Sequence, residues 1–80
     1  MKLPRDLSGS DLTKSLSRLG YEITRQTGSH LRLTTKENGE HHVSVPAHKA
    51  LPLGTLRAIL REIGKHHGLT PEGVASRMFD

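Results

Sequence analysis

The chain has 80 residues, of which 32% are hydrophobic and 2% aromatic, and it carries a formal net charge of +4 at pH 7. A chain this short buries only about 60 to 65% of the surface it exposes when unfolded, so one small domain over residues 1–80 with a thin aliphatic core is expected, and a second domain is excluded. Tyr21 and Phe79 cannot make a base-stacking platform, the lack of cysteine removes disulfides, thiolate zinc sites and cysteine nucleophiles, and no stretch approaches the ~20 apolar residues of a membrane span. A soluble cytoplasmic protein with an anionic partner is the expectation.

Residues 7–20 carry the first helix. Ser8 is placed as N-cap, Asp11 falls at N3 as a variant of the capping box, and Leu7 and Leu12 occupy the staple positions. Leu12, Leu16 and Leu19 recur at i, i+4 and i+7 as one narrow apolar stripe, and Gly20 supplies the stop. Lys14 and Arg18 share another face, where like charges four residues apart repel by on the order of a few tenths of a kcal/mol. That pair reads either as a solvated face or as a contact for phosphate or an acidic partner.

Residues 21–26, 30–35 and 41–45 alternate apolar and polar side chains and read as three half-buried strands. Tyr21, Ile23, Leu31, Leu33, Val43 and Val45 form the inner face. Residues directly opposite one another in an antiparallel pair point to the same side of the sheet, so parity fixes the register. A two-residue Asn38-Gly39 turn would set Leu33 against Ser44 and mix the faces. A three-residue loop, Glu37-Asn38-Gly39 with Gly39 left-handed, instead sets Leu33 against Val43 and Leu31 against Val45. Treating Thr27-Gly28-Ser29 in the same way sets Gln26 against His30, Thr24 against Arg32 and Ile23 against Leu33. The uncovered face then displays Thr24, Gln26, His30, Arg32, Thr34, His42 and Ser44.

Pro46 ends the third strand, and a polar loop through Ala47, His48, Lys49 and Ala50 leads to a break at Leu51-Pro52. In the helix that follows, Leu56, Ile59, Leu60 and Ile63 match the i, i+3, i+4, i+7 template, and Arg57, Arg61 and Lys65 make a basic stripe. Gly68 ends this helix, with Gly64 as the alternative stop. Thr70 as cap and Pro71 at the first helical position signal a short final helix through about Met78. The order helix, three antiparallel strands, helix is an α+β arrangement in which both helices have only the inner face of the sheet to cover.

The chemistry points to His30. An imidazole titrates near neutral pH, and a strand start beside a tight glycine turn holds it in place. The competing reading is a polar residue on a solvated strand. A metal site is not expected, because the adjacent pairs His41-His42 and His66-His67 diverge on a strand and on a helix, and no His-x-x-x-His pair or carboxylate cluster is present.

Gly28-Ser29-His30 opening the second strand, Val45-Pro46-Ala47-His48 closing the third, and Leu51-Pro52-Leu53-Gly54-Thr55-Leu56-Arg57-Ala58-Ile59-Leu60 opening the second helix occur in one order and spacing. In these fragments the chain resembles the HicA toxin family of bacterial and archaeal toxin–antitoxin systems, over about residues 8–69, with residues 70–80 as a C-terminal extension. The resemblance implies a double-stranded-RNA-binding-domain-like α-β-β-β-α fold. It also implies ribosome-independent cleavage of messenger RNA, held in check by a HicB-type antitoxin that covers the site. The family's catalytic histidine is that of the Gly-Ser-His motif, here His30.

A histidine can cut RNA without a metal or other cofactor by taking the proton of a ribose 2′-hydroxyl, which attacks the adjacent phosphorus. Arg32 or Lys49 would stabilise the charge on the phosphorane, and His42 or His48 would be the acid for the leaving oxygen. Gly28 and Ser29 shape the turn, and Lys14, Arg18 and Arg57 are further candidates for RNA contact. The free toxin is expected to be a monomer that forms a larger assembly with its antitoxin. Two other readings compete: a non-catalytic RNA-binding module of the same fold, and a protein-interaction domain with an acidic partner.

Overall fold

A computed structural model describes residues 3–80. The first helix, α1 (Gly9–Leu16), begins where the Ser8 hydroxyl accepts the backbone N–H of Asp11 at 2.9 Å, as the cap pattern requires. A single 3₁₀ turn, Ser17–Leu19, runs on from it and ends at Gly20. Three strands follow, β1 (Glu22–Thr27), β2 (His30–Thr35) and β3 (His41–Pro46), then α2 (Leu53–His67) and α3 (Pro71–Phe79). The second helix passes through Gly64 and stops at Gly68, whose φ is 68°. Thr70 caps α3 by accepting the N–H of Gly73 at 3.0 Å, with Pro71 at the first position.

The strands form one antiparallel sheet in the order β1-β2-β3. Leu31, Leu33, Val43 and Val45 on one face join Leu12 and Leu16 from α1 and Leu56, Leu60 and Ile63 from α2 in a single buried cluster. Both helices therefore cover the same face, and the other is left open. The third helix packs on α2 and adds Val74, Ala75 and Met78 to this core. Each fully buried leucine in it is worth roughly 1.5–3 kcal/mol over exposure. Among the described residues no helix is long and apolar enough to cross a membrane.

The β2–β3 register is the expected one, with Leu33 opposite Val43 and Leu31 opposite Val45, and the connecting loop places both Asn38 (φ 60°) and Gly39 (φ 98°) in the left-handed region. The β1–β2 register differs from the expectation. Ile23 does pair with Leu33, but the ladder then shifts, so that Arg25 pairs with Arg32, Gln26 with Leu31 and Thr27 with His30. The turn is the two-residue Gly28-Ser29, with Gly28 at φ 55° where a side chain would be strained. The extra residue is absorbed by a β-bulge at Thr24. Gln26 therefore moves off the open face, and Arg25 and Thr27 move onto it. Ile23 faces the core side yet is 53% exposed, on the edge strand β1.

Candidate active site

The Gly28-Ser29 turn sets His30 as the first residue of β2, exposed on the open face and paired with Thr27 on one side and Pro46 on the other. Pro46 is where β3 runs out. The chain then bends back across the turn: the N–H of Ala47 donates to the carbonyl of Ser29 at 2.6 Å. This bond brings the Gly-Ser-His fragment and the Val-Pro-Ala-His fragment together in space. Two further backbone bonds hold the loop to the start of α1, Gly9 N–H to the His48 carbonyl at 2.9 Å and Leu51 N–H to the Leu7 carbonyl at 2.7 Å. Gly9 is buried, and a methyl group there would run into the Pro46 carbonyl. The start of α1 and the end of β3 can meet only because that residue has no side chain.

Arg32, two residues after His30, shares its face and lies opposite Ser44 and Arg25. An open groove of about 630 Å³ passes over Arg25, Thr27, His30, Arg32, His42 and Ser44 and reaches Val43 and the carboxylate-bearing Glu62 of α2. His48 and Lys49 are exposed on the loop at the His30 end of the sheet.

His42 lies in the same groove at its far end. It pairs with Thr34, four residues along β2 from His30, a separation of roughly 13 Å at ~3.3 Å per residue. Its Nδ1 is 2.7 Å from the Thr34 hydroxyl, and its Nε2 is 3.0 Å from a carboxylate oxygen of Glu40. The Thr34 hydroxyl is in turn 2.9 Å from that of Thr24 at the bulge. His42 is thus part of a hydrogen-bonded row across the sheet and does not meet His30.

Lys14 lies on α1, Arg18 on the 3₁₀ turn and Arg57 on α2, and none of the three lines the groove. Arg18 donates to the backbone carbonyl of Asp80 at 2.9 Å. Among the described residues no group of three or more histidines and carboxylates is placed to hold a metal ion.

A family model described as HicA toxin of bacterial toxin-antitoxin matches residues 9–65, from the start of α1 to near the end of α2, and includes every element that builds the groove. The chain belongs to the HicA toxin family. As a HicA-family chain it is a toxin of a toxin–antitoxin system, with an antitoxin as partner. No curated protein and no solved structure matches it. His66, His67 and α3 lie outside the segment matched to the HicA model.

Two groove residues, Arg25 and Thr27, escape a reading of the sequence because they depend on the bulge. The signal for them lies in the same parity rule. A two-residue Gly-Ser turn between an inward Ile23 and an outward His30 leaves one residue over, and that residue must bulge.

Proposed function

We propose that this HicA-family toxin is a metal-independent endoribonuclease that cuts messenger RNA without the ribosome in the cytoplasm, and that a HicB-type antitoxin silences it by covering the open face. The observation that carries this reading is the exposed His30 at the lip of the Gly28-Ser29 turn, with Arg32 beside it and the His48-Lys49 loop bonded to that turn through Ala47 and Ser29.

In the reaction His30, as neutral imidazole, takes the proton of a ribose 2′-hydroxyl. The oxygen attacks the adjacent phosphorus, and the phosphorane collapses to a 2′,3′-cyclic phosphate with release of a 5′-hydroxyl. The forked guanidinium of Arg32 suits the two non-bridging oxygens, which gain charge in the transition state, and Lys49 adds a second cation. The acid for the leaving oxygen is His48, since it lies at the His30 end of the sheet while His42 is held at the other end by Thr34 and Glu40. Lys14, Arg18 and Arg57 act on RNA through the overall positive field.

The test is the chemistry of the ends. Incubation with an RNA oligonucleotide in excess chelator should give cyclic-phosphate and 5′-hydroxyl termini, and 2′-O-methylation at the cut site should stop the reaction. Products ending in 3′-hydroxyl and 5′-phosphate would contradict the mechanism. Stoichiometric RNA binding with no product would favour the non-catalytic module.

A further inference from the structure

Arg25 and Arg32 face each other directly across β1 and β2 on the open side of the sheet, lining one groove with His30. Like charges placed opposite each other on neighbouring strands destabilise a sheet. Neither arginine has a carboxylate within 4.0 Å among the described residues, where the carboxylates near this sheet meet histidines, Glu40 with His42 at 3.0 Å and Glu62 with His41 at 3.9 Å. The arrangement also depends on an irregularity. Without the bulge at Thr24, Arg25 would point to the covered side and Gln26 would stand in the groove. The bulge is pinned, because the Thr24 hydroxyl lies 2.9 Å from that of Thr34 and donates to the carbonyl of Arg32 at 3.4 Å. Bulges beside active sites commonly re-aim one side chain in this way.

We infer that Arg25 is a substrate-positioning residue that holds the RNA phosphate next to the scissile one, while Arg32 attends the scissile phosphate itself. This rests on the nuclease reading of the same groove. Two guanidiniums on adjacent strands match the successive phosphates of one RNA strand laid across the sheet, and each forms a paired, charge-assisted contact. The chemistry recognised is the phosphodiester backbone, so the contact carries affinity and direction without base preference.

The experiment compares the wild type with Arg25→Ala, Arg25→Lys and Thr24→Val, and with Arg77→Ala as a control that removes the same charge from α3. Arg25 is on an exposed edge strand, so its variants should keep the wild-type circular dichroism spectrum, and Arg25→Ala should melt no lower than the wild type because it also relieves the repulsion from Arg32. Cleavage kinetics should give a KM raised about tenfold for Arg25→Ala with kcat within about twofold, partial recovery in Arg25→Lys, and a smaller rise of the same kind in Thr24→Val. Binding of a fully 2′-O-methylated oligonucleotide, followed by fluorescence anisotropy over a salt series, should lose about one unit of salt slope in Arg25→Ala and much less in Arg77→Ala. Unchanged KM and salt slope in Arg25→Ala, or equal losses in Arg77→Ala, would overturn the assignment. A wild type that binds the methylated oligonucleotide in an Arg25-dependent way but never cuts RNA would reject the nuclease reading and keep the phosphate contact.

Discussion

The hydroxyl of the buried Tyr21 lies 2.8 Å from Nδ1 of His41, beside the end of α2. The same oxygen is 3.1 Å from Nε2 of His67, whose Nδ1 is 3.1 Å from the Asn38 amide nitrogen. One set of proton positions satisfies the whole row: Asn38 donates to His67, His67 to Tyr21, Tyr21 to His41, and His41 turns its remaining N–H toward Glu62, 3.9 Å away. His66 stacks on His41 at 4.4 Å and donates to the carbonyls of Glu37 and Gly39. The β2–β3 loop is thereby fastened to α2.

This row predicts an acid limit to stability. Burial, followed by repulsion from His66, holds His41 and His67 below their ordinary value of 6.5, against the opposing pull of Glu62 on His41 and Glu37 on His67. His42 adds to the repulsion on His41, and His41 and Arg77 to that on His67. The unfolded chain then binds more protons than the native one below 6.5, so the stabilisation is full above that pH and is lost as pH falls through the lowered native values. Burial pushes Tyr21 the other way, up to about 12, so its contribution is full below 10 and is lost as pH rises through 12. Thermal melts should show a midpoint that drops between about pH 7 and pH 5, with a shallower drop in His67→Gln. A midpoint constant across that window would contradict the assignment.

The contact at Gly9 predicts a contrast between two glycines. A methyl group at Gly9 meets the Pro46 carbonyl, whereas one at Gly54 meets nothing within 4 Å among the described residues. Gly9→Ala should cost about 1–3 kcal/mol in denaturant unfolding, and Gly54→Ala should gain about 0.4–1 kcal/mol. Because Gly9 also anchors the His48 carbonyl, its variant should lose RNA cleavage beyond what the unfolded fraction explains. Equal stability of the two variants would refute the packing argument.

The capped helices, the three strands and the β2–β3 register were legible because local rules agree there: Ser8 and Thr70 are caps, Gly20 and Gly68 are stops, and the alternation of Leu31, Leu33, Val43 and Val45 rules out a two-residue turn. The exposed His30 follows from the same alternation. What local rules could not supply is long-range. Gly9 looks like an ordinary first-turn residue until β3 is folded against it, and Arg25 looks inward until the turn beside Ser29 is known to be two residues long. The distance between His42 and His30 likewise depends on both registers at once.

The placement of the loop histidine predicts unequal roles for two imidazoles. His48→Ala should lower kcat by about 10²-fold or more, the usual contribution of a general acid, and should remove the alkaline limb of the pH–rate profile. His42→Gln should change cleavage by only a few-fold, through its link to Thr34 and the bulge. The reverse ranking would return the acid's role to His42.

The most direct measurement is cleavage of a defined RNA by purified wild type and His30→Ala at matched concentration, with circular dichroism confirming that both are folded. Because His30 is exposed and lies outside the buried core, the variant should keep the wild-type spectrum and melting temperature while its cleavage falls to background. Cleavage by folded His30→Ala at anything near the wild-type rate would contradict the account.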